Sequence, residues 1–486
     1  ILGDLLELPE ARRSELLDQV ARCDCGFLYI ARQADPRVGQ QISSLGLVGV
    51  SVYDEDRRMM PGGNVGRSVI GRTDIDGVGT AGLERQYQAL LDGVPGEKTL
   101  QVAPGGLAIA GTEHVLQPAT PGTDLVTTID RSVQYQAEQV LVRQVGVTGA
   151  VGGQIIVMDT DTGDIIAMVS VDRNEQGVPV VSGGNFAAVG AYEPGSVGKV
   201  ITVAGALEEG AVTPDTMFGY VPWEYDCTID VGGVLHDSHP HDPLSLTTTG
   251  VLVESSNVGT ILVSKEIGYE RLDHYMRDFG LGERTELDFP DESPGILKPW
   301  NDWTGTERCT IAYGQGVSST PIQLASAVNV IANDGVYVAP RLVTATVGPD
   351  GELAEAESAP TRQVISEQTA MQMQAIMREV VCSGTAESAR VNGWSIAGKT
   401  GTAYKAQADG TYFNADGITH DYYSSFVGFL PAEDPQVTVL ISIDEPKTGF
   451  NSGAQSAAPT FRMLVPTIIH ELAIVPPAGS TDCDGS

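Results

Sequence analysis

The chain has 486 residues, of which 42% are hydrophobic and 19% charged, and this balance excludes a disordered, collagen-like or coiled-coil protein. With 29 Lys and Arg against 63 Asp and Glu, the formal net charge is −34, which makes DNA, RNA and anionic lipid headgroups poor partners. We therefore expect no nucleic-acid partner and interpret the acidity as a surface adaptation that keeps the protein soluble.

Cysteine usage leaves the redox compartment of the protein open. Six cysteines are too few for a disulfide scaffold, and because they allow many alternative pairings the sequence assigns none. Cys23 and Cys25 are too close along the chain to bridge each other easily. The sequence contains no run of about 18 apolar residues, so it predicts no membrane span. Since the chain opens at Ile1 without a signal peptide, we expect a fragment that has lost its natural N-terminus.

The N-terminal part of the chain predicts helix first and strands afterwards. In residues 1 to about 45 the leucines are spaced so that they would lie on one face of a helix. Two strand-like runs, LVGVSVY and SVIGRTD, follow among frequent glycines. The run GLERQYQALL predicts a short helix, and the stretch 97–130 alternates as strands do. These elements indicate a smaller, β-rich N-terminal domain.

A glycine-rich segment predicts the boundary between two domains. The helical pattern RSVQYQAEQVLVRQV ends just before Gly149–Gly153, which we interpret as a hinge. We therefore predict an N-terminal domain of residues 1–148, a larger domain of residues 149–475, and a flexible C-terminal tail of residues 476–486 rich in Pro, Gly and Ser.

The larger domain mixes helices and strands. Apolar runs on both sides of Asp161-Thr162-Gly163 predict a β-hairpin. The later part of residues 311–333 has a helical pattern, whereas SSFVGFL and QVTVLISID predict sheet strands. Together with the N-terminal elements, this pattern predicts an α+β fold.

The first candidate for chemistry is the motif Ser196-Val197-Gly198-Lys199. Pro194 and Gly195 precede it and a helical run follows, so Ser196 is predicted at a helix N-terminus, where the dipole favours a developing anion. Lys199 lies one turn further along the same face. A serine nucleophile needs a base, and a lysine can serve when burial or a nearby cation lowers its pKa. Alone, this motif is more often a helix cap followed by a surface lysine.

The second candidate is the turn Ser255-Ser256-Asn257. The Ser255 hydroxyl could relay protons, and the Asn257 amide could orient both Lys199 and a substrate carbonyl. Taken alone the signal is weak, because Ser and Asn are ordinary turn residues.

The third candidate is the segment Lys399-Thr400-Gly401-Thr402. Lys399 and Thr400 on a strand could bind a carboxylate, and Gly401 lets the backbone approach a ligand closely. The backbone N–H of Thr402 could form an oxyanion hole together with that of Ser196. A plain strand edge is the alternative for this segment alone. The three motifs in this order, however, form the signature of penicillin-binding proteins and β-lactamases.

The chain resembles the class B high-molecular-weight penicillin-binding proteins, which are peptidoglycan D,D-transpeptidases, and the cell-division type is most similar. The resemblance covers nearly the whole chain. Two segments resemble the pedestal, or dimerisation, domain: FLYIARQADPRVGQQI and GRSVIGRTDIDGVGTAGLERQYQALLDGVPG. Five segments resemble the transpeptidase domain: YEPGSVGKV, ESSNVGT, AYGQGVSSTPIQLASAVNVIANDG, AGKTGTA and SSFVGFLPAEDP. The implied fold is a transpeptidase domain with an antiparallel sheet flanked by helices, preceded by an incomplete pedestal.

The resemblance implies a role for each motif residue. Ser196 would be the acylated nucleophile and Lys199 its base, with the pKa of Lys199 lowered by the nearby Lys399. Ser255 would carry a proton to the leaving amine, and Asn257 would position the substrate amide. Lys399 and Thr400 would bind the terminal carboxylate of a stem peptide ending in D-Ala-D-Ala, next to Gly401, while Thr402 and Ser196 would form the oxyanion hole. The reaction needs no metal and no cofactor.

The resemblance also implies partners and a location. The substrates would be peptidoglycan stem peptides, one as donor and a neighbouring amine as acceptor, and β-lactams would be covalent inhibitors. A membrane glycosyltransferase and other cell-division proteins would be protein partners. The protein would act on the extracytoplasmic side of the cytoplasmic membrane, with an N-terminal anchor that this sequence lacks.

Two alternative functions use the same motifs. A D,D-carboxypeptidase or β-lactamase would share the acylation chemistry but use water as the acceptor. The pedestal disfavours this reading, and so does the absence of an E-x-x-L-N pattern after Asn257, which would supply the deacylation base of class A β-lactamases. A non-catalytic β-lactam sensor or division scaffold is the second alternative, and the intact motifs disfavour it.

Other polar residues are interpreted as structural. His236, His239 and His241 cluster near Cys227, but they lack the spacing of metal ligands, so we predict a polar loop near the rim of the site. Residues in two further family segments are predicted to have structural roles: Glu84, Tyr87, Tyr313, Gln315 and Thr320.

Overall fold

The structure is a computed structural model that describes residues 1–22, 26–103, 109, 111–227, 233–407, 409–447 and 449–484. Cys23 and Cys25 lie outside these residues. In the described chain the α-helices, labelled α1 to α15 in order, are Leu2–Leu5, Glu10–Arg22, Pro36–Ser44, Arg67–Ile70, Gly82–Gln86, Gln88–Leu91, Arg131–Thr148, Phe186–Val189, Lys199–Glu208, Thr248–Val253, Asn257–Asp278, Glu307–Thr310, Pro321–Ala332, Glu367–Ser383 and Ala457–Glu471.

The strands of the described chain, labelled β1 to β19 in order, are Arg72–Thr73, Gly79–Ala81, Glu97–Thr99, His114–Gln117, Asp124–Thr127, Gly152–Asp159, Ile165–Arg173, Pro179–Val181, Met217–Val221, Glu224–Asp226, Val234–His236, Leu244–Thr247, Val336–Val338, Val343–Val347, Leu353–Glu355, Thr361–Gln363, Ala397–Tyr404, Tyr422–Leu430 and Val437–Asp444. Short 3-10 turns cover Gly195–Val197, Trp300–Asp302, Ile311–Tyr313 and Glu387–Ala389.

A six-stranded antiparallel sheet in the order β17-β18-β19-β6-β7-β8 organises the larger part of the molecule. Helices cover both of its faces. The Phe426 ring of β18 meets Phe461 of α15, whereas Thr438 of β19 donates to Asn329 of α13. Thr438 pairs with Phe429, which is three residues from Phe426, so the two contacts lie on opposite faces of the sheet. The predicted α+β fold class is confirmed.

Several predicted elements are confirmed. Strands β6 and β7 form the hairpin around Asp161–Gly163, α13 covers the predicted helix, and β18 and β19 match the two predicted strand runs. The helix predicted after residue 130 is α7, whose N-cap Asp130 accepts a hydrogen bond from the Val133 N–H and whose C-cap is Gly149 with φ of 64°.

Of two N-terminal strand predictions, one is wrong and the other holds for two residues only. Residues 47–53 contain no strand, and in the run SVIGRTD the chain forms α4 followed by the two-residue strand β1. The side chain of Val48 is 93% exposed, so the alternating pattern there has no sheet face to bury. Gly66 and Gly71, with φ of 72° and 91°, turn the chain on both sides of α4 and prevent an extended strand.

Helix α7 packs with the larger part of the molecule although the predicted boundary assigns it to the smaller part. It contacts β7 of the six-stranded sheet and α15. The packing therefore favours a boundary before Arg131, and the boundary at residue 148 stays a prediction. Below, residues 1–130 are called the N-terminal region and residues 131–484 the C-terminal region.

The C-terminal segment is attached to the molecule near its end. Cys483 forms a disulfide with Cys382 of α14, and Arg378 of the same helix donates to the carbonyl of Thr481. This attachment differs from the predicted flexible tail, because a covalent bond and a helix side chain hold the segment. A second disulfide joins Cys227 to Cys309 of α12. None of the helices in the described residues has the length and apolar composition needed to cross a lipid bilayer.

Candidate active site

Ser196 lies in the 3-10 turn that leads directly into α9, whose first residue is Lys199. Gly195 has a φ of 54°, and a Cβ at this position would lie 2.8 Å from the carbonyl oxygen of Thr402, so only glycine allows this close approach to β17. Ser196 remains partly exposed at the surface of a cleft, whereas Lys199 is fully buried beneath it. The turn therefore presents a hydroxyl to a ligand and keeps the lysine away from water.

Ser255 connects two lysines that are far apart in sequence. It lies between α10 and α11 with a φ of 57°, which is uncommon for a residue with a side chain. Lys199 Nζ donates to both the carbonyl oxygen and Oγ of Ser255, the latter at 3.2 Å. Lys399 Nζ donates to the same Oγ at 2.8 Å. A proton held by Ser255 can therefore reach either amine.

Strand β17 is an edge strand that carries the third motif. Gly401 faces the turn before Ser196, because a Cβ there would lie 2.3 Å from Ser425 Oγ and 3.0 Å from the carbonyl oxygen of Pro194. The Thr400 hydroxyl is hydrogen-bonded to that of Thr385 at 3.0 Å. Thr402 Oγ1 accepts from the Gly453 N–H at 3.2 Å, so the strand end is fixed on both sides.

Asn257 completes the set of predicted site residues. It is the first residue of α11, and its Nδ2 donates to the carbonyl oxygen of His236 at 3.0 Å. This bond leaves the amide oxygen for other partners.

A cleft of about 690 Å³ collects the motif residues. Of the predicted site residues it is lined by Ser196, Ser255, Asn257, Thr400 and Thr402. Lys199 and Lys399 lie fully buried behind Ser255, and Gly401 lies in β17 between two lining residues. The structure thus brings all eight predicted site residues together. The roles assigned to them stay predictions.

Burial sets the protonation of the two lysines. Burial holds the pKa of Lys199 well below its usual range, the nearby charge of Lys399 lowers it further, and Asp237 opposes the change. Lys399 thus acts on this pKa in the predicted direction, although burial is the larger cause. Burial also lowers the pKa of Lys399 to about 7. The amine of Lys199 is therefore available in the neutral form near neutral pH, whereas Lys399 is divided between its neutral and charged forms.

Sequence reasoning missed Asp237, Thr385 and Glu193. Asp237 is buried and binds the start of α11, although only the histidines around it drew attention in the sequence. Thr385 follows α14 and carries no motif. Glu193 accepts from the Gly316 N–H and the Tyr412 hydroxyl, both at 2.8 Å, and burial raises its pKa. Its position three residues before Ser196 was the available signal.

Of the residues predicted to be structural, two line the cleft and three make structural contacts away from it. Tyr313 and Gln315 line the cleft, so they contact its interior rather than only supporting it. Thr320 caps α13 through a capping box with Gln323. In the N-terminal region, Glu84 is buried and pairs with Arg58 at 2.6 Å, and Tyr87 packs partly buried against the core.

The histidine loop lies at the rim of the cleft. His236 and His239 line it, and the His241 Nε2 lies 3.0 Å from an Asp237 carboxylate oxygen. A backbone contact with Asp242 and the Asp237 carboxylate raise the pKa of His241.

Both regions match known protein families. Residues 153–465 match the penicillin-binding protein transpeptidase domain, and residues 29–127 match the penicillin-binding protein dimerisation domain. Penicillin-binding protein PbpB of Mycolicibacterium smegmatis is 35% identical over 472 residues, which cover 93% of this chain and 71% of that protein. Peptidoglycan D,D-transpeptidase FtsI of Escherichia coli is 30% identical over 461 residues, which cover 94% of this chain and 74% of that protein.

Solved structures have the same fold. A crystal structure of penicillin binding protein 3 from Mycobacterium tuberculosis, complexed with aztreonam, matches with a TM-score of 0.75 and 32% identity, over 87% of this chain and 92% of that chain. A peptidoglycan synthetase from Bifidobacterium adolescentis matches with a TM-score of 0.77 and 28% identity, over 99% of this chain and 86% of that chain.

Proposed function

The chain belongs to the class B penicillin-binding proteins and is a peptidoglycan D,D-transpeptidase, and on this premise we propose how its residues perform the reaction. The supporting observation is that Ser255 Oγ lies within hydrogen-bond distance of both Lys199 Nζ and Lys399 Nζ in the cleft that Ser196 lines. This arrangement supplies a nucleophile, a base and a proton relay in one site.

Acylation begins when Ser196 Oγ attacks the carbonyl carbon of the penultimate D-Ala of a donor stem peptide. The Ser196 proton passes to the neutral amine of Lys199, and the new C–O bond produces a tetrahedral oxyanion. The backbone N–H groups of Ser196 and Thr402 stabilise this charge. The C–N bond then breaks, and the leaving D-Ala nitrogen receives its proton through Ser255.

The remaining motif residues orient the donor peptide. Thr400, which lines the cleft, binds its terminal carboxylate, Lys399 adds positive charge from behind the cleft wall when it is protonated, and Asn257 holds the amide of the peptide chain. Gly401 allows β17 to lie against the turn that presents Ser196, so its role is internal packing and not contact with the ligand. The amine of a neighbouring stem peptide then attacks the ester carbonyl and gives one proton to Lys199. The C–Oγ ester bond breaks, and Lys199 returns that proton to Ser196 Oγ, which leaves as the free hydroxyl.

Mass spectrometry after benzylpenicillin treatment tests the nucleophile. We expect a stable adduct on the peptide that contains Ser196, because a β-lactam carbonyl acylates the same hydroxyl. The Ser196→Ala variant should carry no adduct. Ser238→Ala is the matched control, since Ser238 lines the same cleft and should leave acylation intact. An adduct that persists in Ser196→Ala contradicts the assignment. Rapid release of hydrolysed penicillin would favour a hydrolase, and no adduct in the unmodified protein would favour a non-catalytic division scaffold.

We also propose that the protein works on the extracytoplasmic side of the cytoplasmic membrane, because its peptidoglycan substrate lies there. By family resemblance its protein partners are a membrane glycosyltransferase and cell-division proteins, bound through the N-terminal region. Co-purification from membranes with residues 1–130 deleted tests this, and the partners should be lost while the remaining protein is still acylated by penicillin.

A further inference from the structure

Asp237 lies at the base of a hairpin that covers one side of the cleft. Strand β10 pairs with β11, and Asp237 follows β11 directly. The Asp237 N–H donates to the carbonyl oxygen of Trp223 at 3.1 Å, which closes the hairpin. The disulfide between Cys227 and Cys309 attaches the same hairpin to α12. The backbone of Asp237 therefore has a fixed position relative to the site.

The Asp237 carboxylate binds the first turn of α11. One oxygen, Oδ1, accepts from the backbone N–H groups of Asn257 and Val258, the latter at 3.0 Å. The other, Oδ2, accepts from Ser256 Oγ at 2.8 Å and lies 3.0 Å from His241 Nε2. The first N–H groups of a helix have no partner within the helix, so this carboxylate supplies the partners that they lack.

Ser256 links this contact to the helix. It is the N-cap residue of α11, and its Oγ accepts from the Gly259 N–H at 2.8 Å while donating to Asp237. The hydroxyl proton is thereby directed toward the carboxylate, and the cap geometry depends on Asp237.

Ser255, the residue before this cap, needs external support. Its φ of 57° is a left-handed conformation that a residue with a side chain adopts only where the surrounding structure holds it. On one side, its N–H donates to the Leu252 carbonyl at 3.2 Å, which ties it to α10. On the other side, the first turn of α11 is held by Asp237. If that turn moves, Ser255 Oγ leaves its place between the two lysine amines.

We propose that Asp237 is the positioning residue of this active site: its carboxylate holds the first turn of α11 so that Ser255 Oγ stays between Lys199 and Lys399. The proposal rests on the proposed function of Ser255 as a proton relay. Asp237 acts on Ser255 through Ser256 and α11, and this positioning is geometric; the effect of its charge on the pKa of Lys199 is separate.

Two variants of Asp237 separate geometry from charge. Asp237→Asn keeps the shape and the oxygen that accepts from Asn257 and Val258, but it loses the charge and puts an amide NH2 in place of the oxygen that accepts from Ser256 Oγ. Asp237→Glu keeps the charge, but its extra methylene displaces the carboxylate. We expect the rate constant of acylation by benzylpenicillin to fall about 10²-fold in the Glu variant and to stay within about tenfold of the unmodified protein in the Asn variant. The dissociation constant of the non-covalent complex should change little in both.

The controls distinguish positioning from general destabilisation. Asp130→Ala removes another carboxylate that caps a helix, at the start of α7, and should lower stability without slowing acylation. Ser196→Ala, measured in parallel, tests the proposed function itself: if it is still acylated, that function fails, whatever the Asp237 variants do. The positioning role is overturned if Ser196→Ala is inactive and the Glu variant acylates as fast as the unmodified protein. It is also overturned if the Asn variant is the slower of the two.

Discussion

The ion pairs around Arg32 in the N-terminal region and the buried lysines of the site in the C-terminal region place charged groups in opposite environments. In the N-terminal region, Arg32 forms ion pairs with Glu55 and Asp76 in contact with solvent. In the C-terminal region, Lys199 and Lys399 are fully buried, and their amines donate to Ser255 rather than to a carboxylate. Ion pairs at the surface contribute little stability, whereas burial of an amine disfavours its charged form. The difference indicates that the Arg32 ion pairs contribute little to stability, whereas burial of the two amines is unfavourable and is explained by their role in the site.

The distribution of the hydrophobic core shows the same contrast. Among the described residues of the N-terminal region, the buried hydrophobic side chains are Leu16, Ile42, Val69 and Leu83. The C-terminal region buries nearly every residue of β6, β18 and β19. Because densely packed interiors resist displacement, the C-terminal region can hold side chains at fixed distances. The N-terminal region depends more on turns and surface contacts.

The largest expected effect comes from exchanging a buried lysine. Lys199→Ala should lower the rate of acylation by benzylpenicillin about 10²–10⁴-fold, because the base that takes the Ser196 proton is lost. Lys98→Ala is the control from the N-terminal region, where Lys98 is exposed and lies 3.6 Å from Glu113. Stopped-flow or gel-based acylation rates measure both variants. Equal acylation rates in the two variants would show that the buried lysine is no more important for acylation than the exposed one.

A smaller effect is expected on stability. The folded-state pKa of Lys399 is about 7, below its usual 10.5. Below pH 7 Lys399 is protonated in both the folded and the unfolded state, so burying its charge lowers the free energy of unfolding by the full amount. This cost disappears as the pH rises from about 7 toward the unfolded value, and stability should rise with it. Lys399→Met should therefore melt several degrees higher than the unmodified protein at pH 6, with a smaller difference at pH 9. Thermal unfolding measures the difference in melting temperature at both pH values. A lower melting temperature for Lys399→Met at pH 6 would contradict the conclusion that burial of the Lys399 charge is destabilising.

The smallest effect is expected at the contact between the regions. Arg85 of α5 pairs with Asp291 at 2.6 Å, but both side chains are largely exposed. Arg85→Ala should lower the free energy of unfolding by less than about 1 kcal/mol and leave acylation unchanged. Denaturant titration gives the first quantity and a penicillin-binding assay the second. A large loss in either would show that this ion pair couples the two regions.

The sequence predicted the C-terminal region better than the N-terminal region, for a physical reason. The runs at β18 and β19 are buried on both sides, so their apolar pattern reports their structure directly. Residues 47–53 also carry alternating apolar residues, but most of them are exposed, and without a partner strand the pattern does not produce a β-strand. The disulfide pairing of Cys227 with Cys309 and of Cys382 with Cys483 was also beyond the sequence, because it depends on which loops meet in space.

The sequence by itself determined which chemical groups the site contains, because the motifs at Ser196, Ser255 and Lys399 are local patterns of residue type and spacing. Only the tertiary structure decided how these groups work together. Burial controls the pKa of both lysines, and it arises from elements far apart in the chain that pack around Ser255. Asp237 likewise contacts α11 only because the β10–β11 hairpin folds against it. Electrostatics and hydrogen bonding depend on distance in space, and distance along the chain does not report it.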